Sequence, residues 1–158
     1  MFTDTIFATA TGSEVAALSI IRISGPDSYK TLLKLTRSKT FKPRRVILKP
    51  LFKIDVNLCT PIDTALVVWM PGPKSYTGED SVELYLHGGI AVSKGIIKTL
   101  GSLDGLRYAE QGEFTKRALA NGKINLVQAE GILDLINAET DSQRDFANRL
   151  INGSLSIP

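Results

Sequence analysis

An arginine lies inside one of the most apolar runs of the sequence, residues 18–24. Such a run predicts a buried β-strand. Because an isolated charge is costly to bury, Arg22 must pair with an anion, face a ligand, or lie at a strand edge and reach water. The sequence leaves these three alternatives open.

A second group of polar side chains follows the period of a β-strand. Residues 81–87 alternate between aliphatic and polar side chains, which predicts that Glu83, Tyr85 and His87 share the face opposite the buried one. This row of a carboxylate, a phenol and an imidazole is either a ligand site or the solvent side of a two-faced strand. Lys123 belongs to a predicted loop between two helices, where an exposed lysine is the default expectation.

The composition is that of an ordinary globular chain and excludes several classes of protein. The 158 residues are 43% hydrophobic and 22% charged, with one Cys and one His. The single Cys59 excludes an internal disulfide and a cysteine-rich metal site, so we expect no metal centre. Without a signal peptide or an apolar run of membrane-spanning length, we expect a cytoplasmic location and no membrane partner.

The basic residues are concentrated in one segment. Between positions 28 and 54 there are nine basic residues and no acidic one, so the remainder, with 10 basic and 16 acidic residues, has a net charge of −6. The segment is either a surface for a polyanion such as RNA or a solvated lysine-rich face. Its basic residues are Lys30, Lys34, Arg37, Lys39, Lys42, Arg44, Arg45, Lys49 and Lys53.

The elements that must position these residues are strands and helices that do not strictly alternate. This order predicts an α+β fold, a mixed sheet with packed helices, and not a doubly wound sheet. Gly25-Pro26 is expected to start the first helix, with Pro26 as the first helical residue, where its missing N–H costs nothing. Strands are predicted at 4–10, 15–24, 46–56, 62–70, 81–87 and 106–109. Helices are predicted from Pro26 onward, from 89 to 100 and from 112 to a stop at 121–122.

The last predicted element is a long amphipathic helix over residues 126–151. Its aliphatic residues and Phe146 fall within one half-turn, and acidic residues cluster on the opposite side. A helix of this length extends about 40 Å. The rest of the chain is too small to cover all of the apolar face, so we expect this helix to project from the globular body or to pack on a second copy.

Three motifs in fixed order closely resemble the N-terminal part of the MnmE (TrmE) tRNA-modification GTPases. They are residues 20–26 (Ile-Ile-Arg-Ile-Ser-Gly-Pro), 75–84 (Ser-Tyr-Thr-Gly-Glu-Asp-Ser-Val-Glu-Leu) with 87–89 (His-Gly-Gly), and 112–118 (Gly-Glu-Phe-Thr-Lys-Arg-Ala) with 121–126 and 128–130. The resemblance implies that residues 1–121 form a folate-binding and dimerisation domain, similar to the folate-binding domain of the glycine-cleavage aminomethyltransferase. It implies that residues 122–158 begin an all-helical domain.

The same resemblance implies a cofactor and the residues that hold it. The cofactor is a reduced folate, 5-formyl- or 5,10-methylene-tetrahydrofolate, and the family's folate contacts fall on Arg22, Glu83 and Lys123. One carboxylate can accept from the adjacent 2-amino and N3 donors of a pterin, which suits Glu83. Arg22 or Lys123 then meets the carboxylates of the glutamate tail, and Tyr85 stacks beside the ring.

In the family, the homodimer works with the FAD protein MnmG to install an aminomethyl-type group at C5 of the wobble uridine of certain tRNAs. GTP, Mg²⁺ and K⁺ are bound by a GTPase domain. Because the 158 residues contain no phosphate-binding loop sequence, we expect that they do not hydrolyse GTP by themselves. Two alternatives stay open: a stand-alone folate-dependent one-carbon transferase, and a tRNA-binding module that uses the basic residues between 30 and 53.

Overall fold

A computed structural model describes residues 2–10, 19–54, 61–87, 89–136, 145–146, 148–149 and 151–152. Cys59 and the predicted strand residues 15–18 lie outside this part of the chain. The strands are β1 (Thr5–Thr9), β2 (Ser19–Ser24), β3 (Ile47–Leu51), β4 (Asp63–Met70), β5 (Ser81–Leu86) and β6 (Leu106–Tyr108). The helices are α1 (Ser28–Thr36), α2 (Ile90–Gly101), α3 (Glu113–Ala120) and α4 (Leu126–Ile136).

All of these strands belong to one sheet in the order β3-β4-β5-β2-β1-β6. Neighbouring strands are antiparallel except β1 and β6, which are parallel. The predicted α+β class with a mixed sheet is therefore confirmed. β2 and β5 lie in the interior of the sheet, so both strands that carry candidate site residues are paired on both sides.

The hydrophobic core lies on one face of the sheet. β5 contributes Val82, Leu84 and Leu86, all with 0% exposure, as the period-two pattern predicts. α1 and α2 cover this face with aliphatic side chains that recur at helical spacing, namely Leu32 and Leu35 of α1 and Ile96 and Leu100 of α2. The opposite face of β5 carries Glu83 and Tyr85.

Two predicted boundaries are wrong. Pro26 is not the first helical residue, because the N-cap of α1 is Asp27. The backbone N–H of Asp27 donates to the Thr5 hydroxyl at 2.9 Å, which holds the chain in a turn before the helix begins. The strand predicted for residues 46–56 ends at Leu51. The backbone N–H of Phe52 donates to the carbonyl of Leu35 in α1 and not to a neighbouring strand.

The chain divides into two compact units. The first consists of residues 1–75 and 79–109, and includes the sheet, α1 and α2; the second consists of residues 76–78 and 110–158. In the second unit the predicted stop of α3 is confirmed, with Asn121 as C-cap and Gly122 at a φ of 72°. Arg117 of α3 is completely buried, and its guanidinium lies 3.7 Å from the Glu113 carboxylate.

Of the helix predicted over residues 126–151, the structure confirms the first part, and the remainder stays a prediction. α4 spans Leu126–Ile136, and residues 137–144 lie outside the described part of the chain. Of the predicted apolar face, Leu126 is 61% exposed and Phe146 is 48% exposed. Among the described residues, no helix combines the length and apolar character that crossing a membrane requires.

Candidate functional site

The register of β2 and β5 places Arg22 directly opposite Glu83. Arg22 Nη2 lies 3.7 Å from Glu83 Oε1, and the two side chains are 24% and 17% exposed. The arginine is therefore paired with an anion and lies on an interior strand, not at a strand edge, and a contact with a ligand stays a prediction. On the same face, Val68 of β4 flanks Glu83 and Ala8 of β1 flanks Arg22, so the ion pair has apolar neighbours on both sides.

Tyr85 completes a group that we call the Arg22–Glu83–Tyr85 cluster. The Tyr85 hydroxyl donates a hydrogen bond to Glu83 Oε2 at 2.8 Å. Burial raises the pKa of Tyr85 above its usual value, the bond to Glu83 and its negative charge raise it further, and the charge of Arg22 opposes them. At neutral pH the phenol therefore keeps its proton and acts as a donor to the carboxylate.

The carboxylate of Glu83 is held by both neighbours but retains acceptor capacity. One oxygen faces the guanidinium and the other accepts the phenol proton. Each carboxylate oxygen has two lone pairs, so a ligand with two adjacent N–H donors can still bind both oxygens. The cluster thus presents a fixed, partly buried acceptor with a cation beside it.

A second polar group on the same face is missed by the sequence reasoning. Ser24, two residues after Arg22 on β2, donates to Glu79 Oε1 at 2.9 Å. Ser81, its register partner on β5, donates to the Glu79 backbone carbonyl at 3.2 Å. The available signal was the period of two along β2, which places Ser24 on the same face as Arg22.

His87 lies just past the end of β5. Its ring Nδ1 is 2.9 Å from the Thr64 carbonyl oxygen, and its backbone N–H donates to Asp63 Oδ2 at 2.8 Å. The side chain is exposed. These contacts hold His87 against the start of β4, which gives it a structural role at the end of the β4–β5 strand pair.

Lys123 belongs to the second unit, in the connection between α3 and α4. It is exposed, as the sequence predicts, and its backbone N–H donates to the Ala118 carbonyl at 2.9 Å. A Cβ added to Gly78, at a φ of +82°, would approach the Lys123 Cγ to 3.2 Å. The structure thus brings together Arg22, Glu83 and Tyr85, while a convergence of Lys123 with them stays a prediction.

Fold and site define an α+β domain whose central strands carry a paired arginine and carboxylate on the face opposite the core. Comparison with known proteins identifies the family. A profile described as "GTP-binding protein TrmE N-terminus" matches residues 5–123. The chain belongs to this family.

Curated relatives match almost the whole chain. The "tRNA modification GTPase MnmE" of Methylobacterium sp. (strain 4-46) is 50% identical over 153 residues, 97% of this chain and 35% of the relative. The human "5-taurinomethyluridine-[tRNA] synthase subunit GTPB3, mitochondrial" is 48% identical over 151 residues, 96% of this chain and 30% of the relative. The chain therefore spans about a third of the length of these relatives.

Proposed function

We propose that the chain is a folate-binding and dimerisation module of a tRNA-modification GTPase. In this proposal the module holds a reduced folate, 5-formyl- or 5,10-methylene-tetrahydrofolate, as the one-carbon donor. The modification is the aminomethyl-type group installed with an MnmG-type FAD protein at C5 of the wobble uridine. The GTP, Mg²⁺ and K⁺ sites are assigned to the GTPase domain with which the module works.

The observation that carries the proposal is the Arg22–Glu83–Tyr85 cluster. A pterin presents its 2-amino and N3 donors side by side, which matches the two oxygens of a carboxylate held in one orientation. Arg22 places a positive charge 3.7 Å from the Glu83 carboxylate, on the same face of the sheet. The hydrogen bond from Tyr85 fixes the carboxylate rotamer, so less conformational freedom is lost when a ligand binds.

Further parts of the proposal come from the family resemblance. Lys123 meets a carboxylate of the glutamate tail, and Tyr85 stacks beside the pterin ring. Residues 1–121 form the folate-binding domain, and residues 122–158 begin a helical domain whose first helix extends to residue 151. Formation of the homodimer and a cytoplasmic location stay predictions, and one relative is named as mitochondrial.

The cluster does not favour a stand-alone one-carbon transferase. Such an enzyme needs a general base or acid with a pKa near neutral pH. The raised pKa of Tyr85 makes it a poor base at neutral pH, and the contacts that join Arg22, Glu83 and Tyr85 do not include His87, whose ring Nδ1 lies 2.9 Å from the Thr64 carbonyl oxygen. Tyr85 positions the Glu83 carboxylate, and His87 positions the end of β5 against β4.

Calorimetric titration with 5-formyl-tetrahydrofolate tests the proposal. Glu83→Gln keeps the side-chain shape but replaces one acceptor oxygen with an NH₂ group that meets a pterin donor. The loss of two charge-assisted hydrogen bonds, about 3 kcal/mol, weakens folate binding roughly 100-fold. The matched control is Glu110→Gln, which removes an exposed carboxylate outside the cluster and leaves the affinity unchanged.

Two further outcomes separate the assigned roles. Lys123→Ala weakens binding of the folate but not of a pterin without the glutamate tail, because only the tail carries the carboxylates. Unchanged folate affinity in Glu83→Gln, with a folded protein by circular dichroism, would remove the pterin anchor and with it the proposed function.

A further inference from the structure

Part of the basic segment contacts a turn that carries another basic residue, Lys74, from outside the segment. Arg44 Nη2 donates to the carbonyl oxygens of Pro71 at 3.0 Å and Lys74 at 2.9 Å. The loop before β3 and the turn after β4 therefore meet, which brings the backbone of Lys74 against Arg44, the neighbour of Arg45 and two residues from Lys42 in the chain. We call these four residues the basic edge cluster, because β3 is an edge strand of the sheet.

The loop that carries this cluster is fixed at both ends. Phe41 is only 7% exposed, and its backbone N–H donates to the Tyr29 hydroxyl at 3.0 Å. Arg44 donates its own backbone N–H to the Trp69 carbonyl at 2.8 Å, at the end of β4. Lys42 lies between these anchors and is exposed, and Arg45, also exposed, directly follows the second anchor, Arg44. A fixed display of charges lowers the entropy cost of binding a ligand.

The positive charge of the cluster is not neutralised by the protein. Within the described parts of the chain, no carboxylate forms an ion pair with Lys42, Arg44, Arg45 or Lys74. Arg44 donates hydrogen bonds to two backbone carbonyls, which carry no net charge and leave its positive charge in place. The cluster therefore has a net positive charge at the protein surface.

The other end of the basic segment differs electrostatically. Lys30 and Lys34 line a cavity of about 290 Å³ together with Asp27 and Asp104. The negative charges of Asp27 and Asp104 offset the positive charges of the two lysines. In the turn that carries Lys74, the Asp80 carboxylate accepts the Gly72 N–H at 2.9 Å, so one carboxylate lies near the four cations of the basic edge cluster, whereas two lie near Lys30 and Lys34. The basic residues of the sequence segment are thus not equivalent, and the larger excess of positive charge lies around residues 42–45 and 74.

We propose that the basic edge cluster contacts the sugar–phosphate backbone of RNA. Exposed cations in a fixed loop suit phosphate groups, which recur regularly along a nucleic acid. The exposed neighbours Val46 and Leu48 are aliphatic and offer the bases no hydrogen-bond donor or acceptor from their side chains. Contacts to phosphate groups carry no sequence information, so we expect binding without sequence preference. The identity of the polyanion, a tRNA, rests on the proposed function.

The test measures binding of an unmodified tRNA transcript by fluorescence anisotropy between 50 and 300 mM salt. The variant Lys42→Gln/Arg45→Gln/Lys74→Gln removes three charges and keeps Arg44, which holds the two loops together. Each lost phosphate contact lowers the slope of log affinity against log salt by about 0.7 to 0.9. We expect the slope to fall by roughly 2 to 3 and the affinity at 0.1 M salt to fall on the order of 100-fold.

The matched control removes the same number of charges elsewhere. Lys94→Gln/Lys98→Gln/Lys116→Gln changes exposed lysines of α2 and α3, and we expect an affinity within roughly 10-fold of the wild type, because screening limits distant charges. An equal loss in both variants overturns the proposal. So does an absence of tRNA binding by the wild type, or stronger binding to phosphatidylserine vesicles than to the transcript.

Edge protection is the competing role for these cations, because charged side chains at a sheet edge prevent pairing with other sheets, and the loop that carries Lys42, Arg44 and Arg45 leads directly into the edge strand β3. If the triple variant aggregates but its soluble fraction keeps the wild-type tRNA affinity, that role replaces RNA contact. Folate titration of the same triple variant separates the two proposals. Normal folate binding with lost tRNA binding supports this surface, whereas normal tRNA binding with no folate binding in the wild type removes only the folate proposal.

Discussion

Gly25 is the residue at which a single methyl group should have a large effect on folding. It follows β2, the strand that carries Arg22, and has a φ of +138°. An added Cβ would lie 2.6 Å from Thr5 Cα and 2.7 Å from the Asp4 carbonyl oxygen. Both are backbone atoms of the neighbouring segment, so no side chain can rotate away to relieve the contact.

The magnitude for Gly25→Ala has two sources. A non-glycine residue in this region of φ costs about 1 to 3 kcal/mol, and overpacking a tight site costs about 1 to 3 kcal/mol. We expect a loss of about 4 kcal/mol in the free energy of unfolding. With an m-value of about 2 kcal/mol per molar urea, the midpoint falls by about 2 M.

Urea denaturation followed by far-UV circular dichroism measures this change, with Gly95→Ala as the matched control. Gly95 lies inside α2, and its added Cβ would meet Ile62 Cγ2 at an ordinary 3.7 Å. Alanine is the better helix former, so this variant gains about 0.5 to 1 kcal/mol. A free energy of unfolding for Gly25→Ala within 1 kcal/mol of the wild-type value would refute this account, since the close backbone approach would then be absent.

Two further predictions concern charged groups. The pKa of Tyr85 is raised chiefly by burial and also by Glu83, so in an ultraviolet pH titration we expect it to fall towards 10 in Glu83→Gln. A pKa raised on folding stabilises the native state while the phenol is protonated, so this stability is lost as the pH rises above 10. Tyr85→Phe removes this pH-dependent contribution. Arg117→Met leaves the Glu113 carboxylate buried without its guanidinium and lowers the free energy of unfolding by about 3 kcal/mol, whereas adding Glu113→Gln recovers part of the loss in the same urea assay. An unshifted Tyr85 titration, or a double variant no more stable than the single one, would contradict these accounts.

Local patterns in the sequence predict the elements, because each depends on residues close together in the chain. The alternation in residues 81–87 correctly predicts which side chains of β5 enter the core. The glycine at position 122 correctly marks the end of α3. These signals come from backbone geometry and burial period alone.

Contacts between distant segments set the features that the sequence does not predict. The end of β3 at Leu51 depends on the hydrogen bond of Phe52 to α1. The position of Arg22 opposite Glu83 depends on the strand order, in which β5 lies next to β2. The role of Arg44 in holding Lys74 is likewise a tertiary contact, invisible in the composition of either loop.

The energy of the Arg22–Glu83 pair bears on why these residues occupy a sheet interior. At 3.7 Å and partly exposed, the pair contributes at most about 1 kcal/mol to folding. Aliphatic residues in register with Val68 and Ala8 would stabilise the sheet as well or better, because they require no desolvation of charge. Folding stability therefore gives no reason for an arginine and a glutamate at these positions. The proposed folate binding does give one, because it needs a fixed carboxylate beside a cation and a reduced folate has the matching donors.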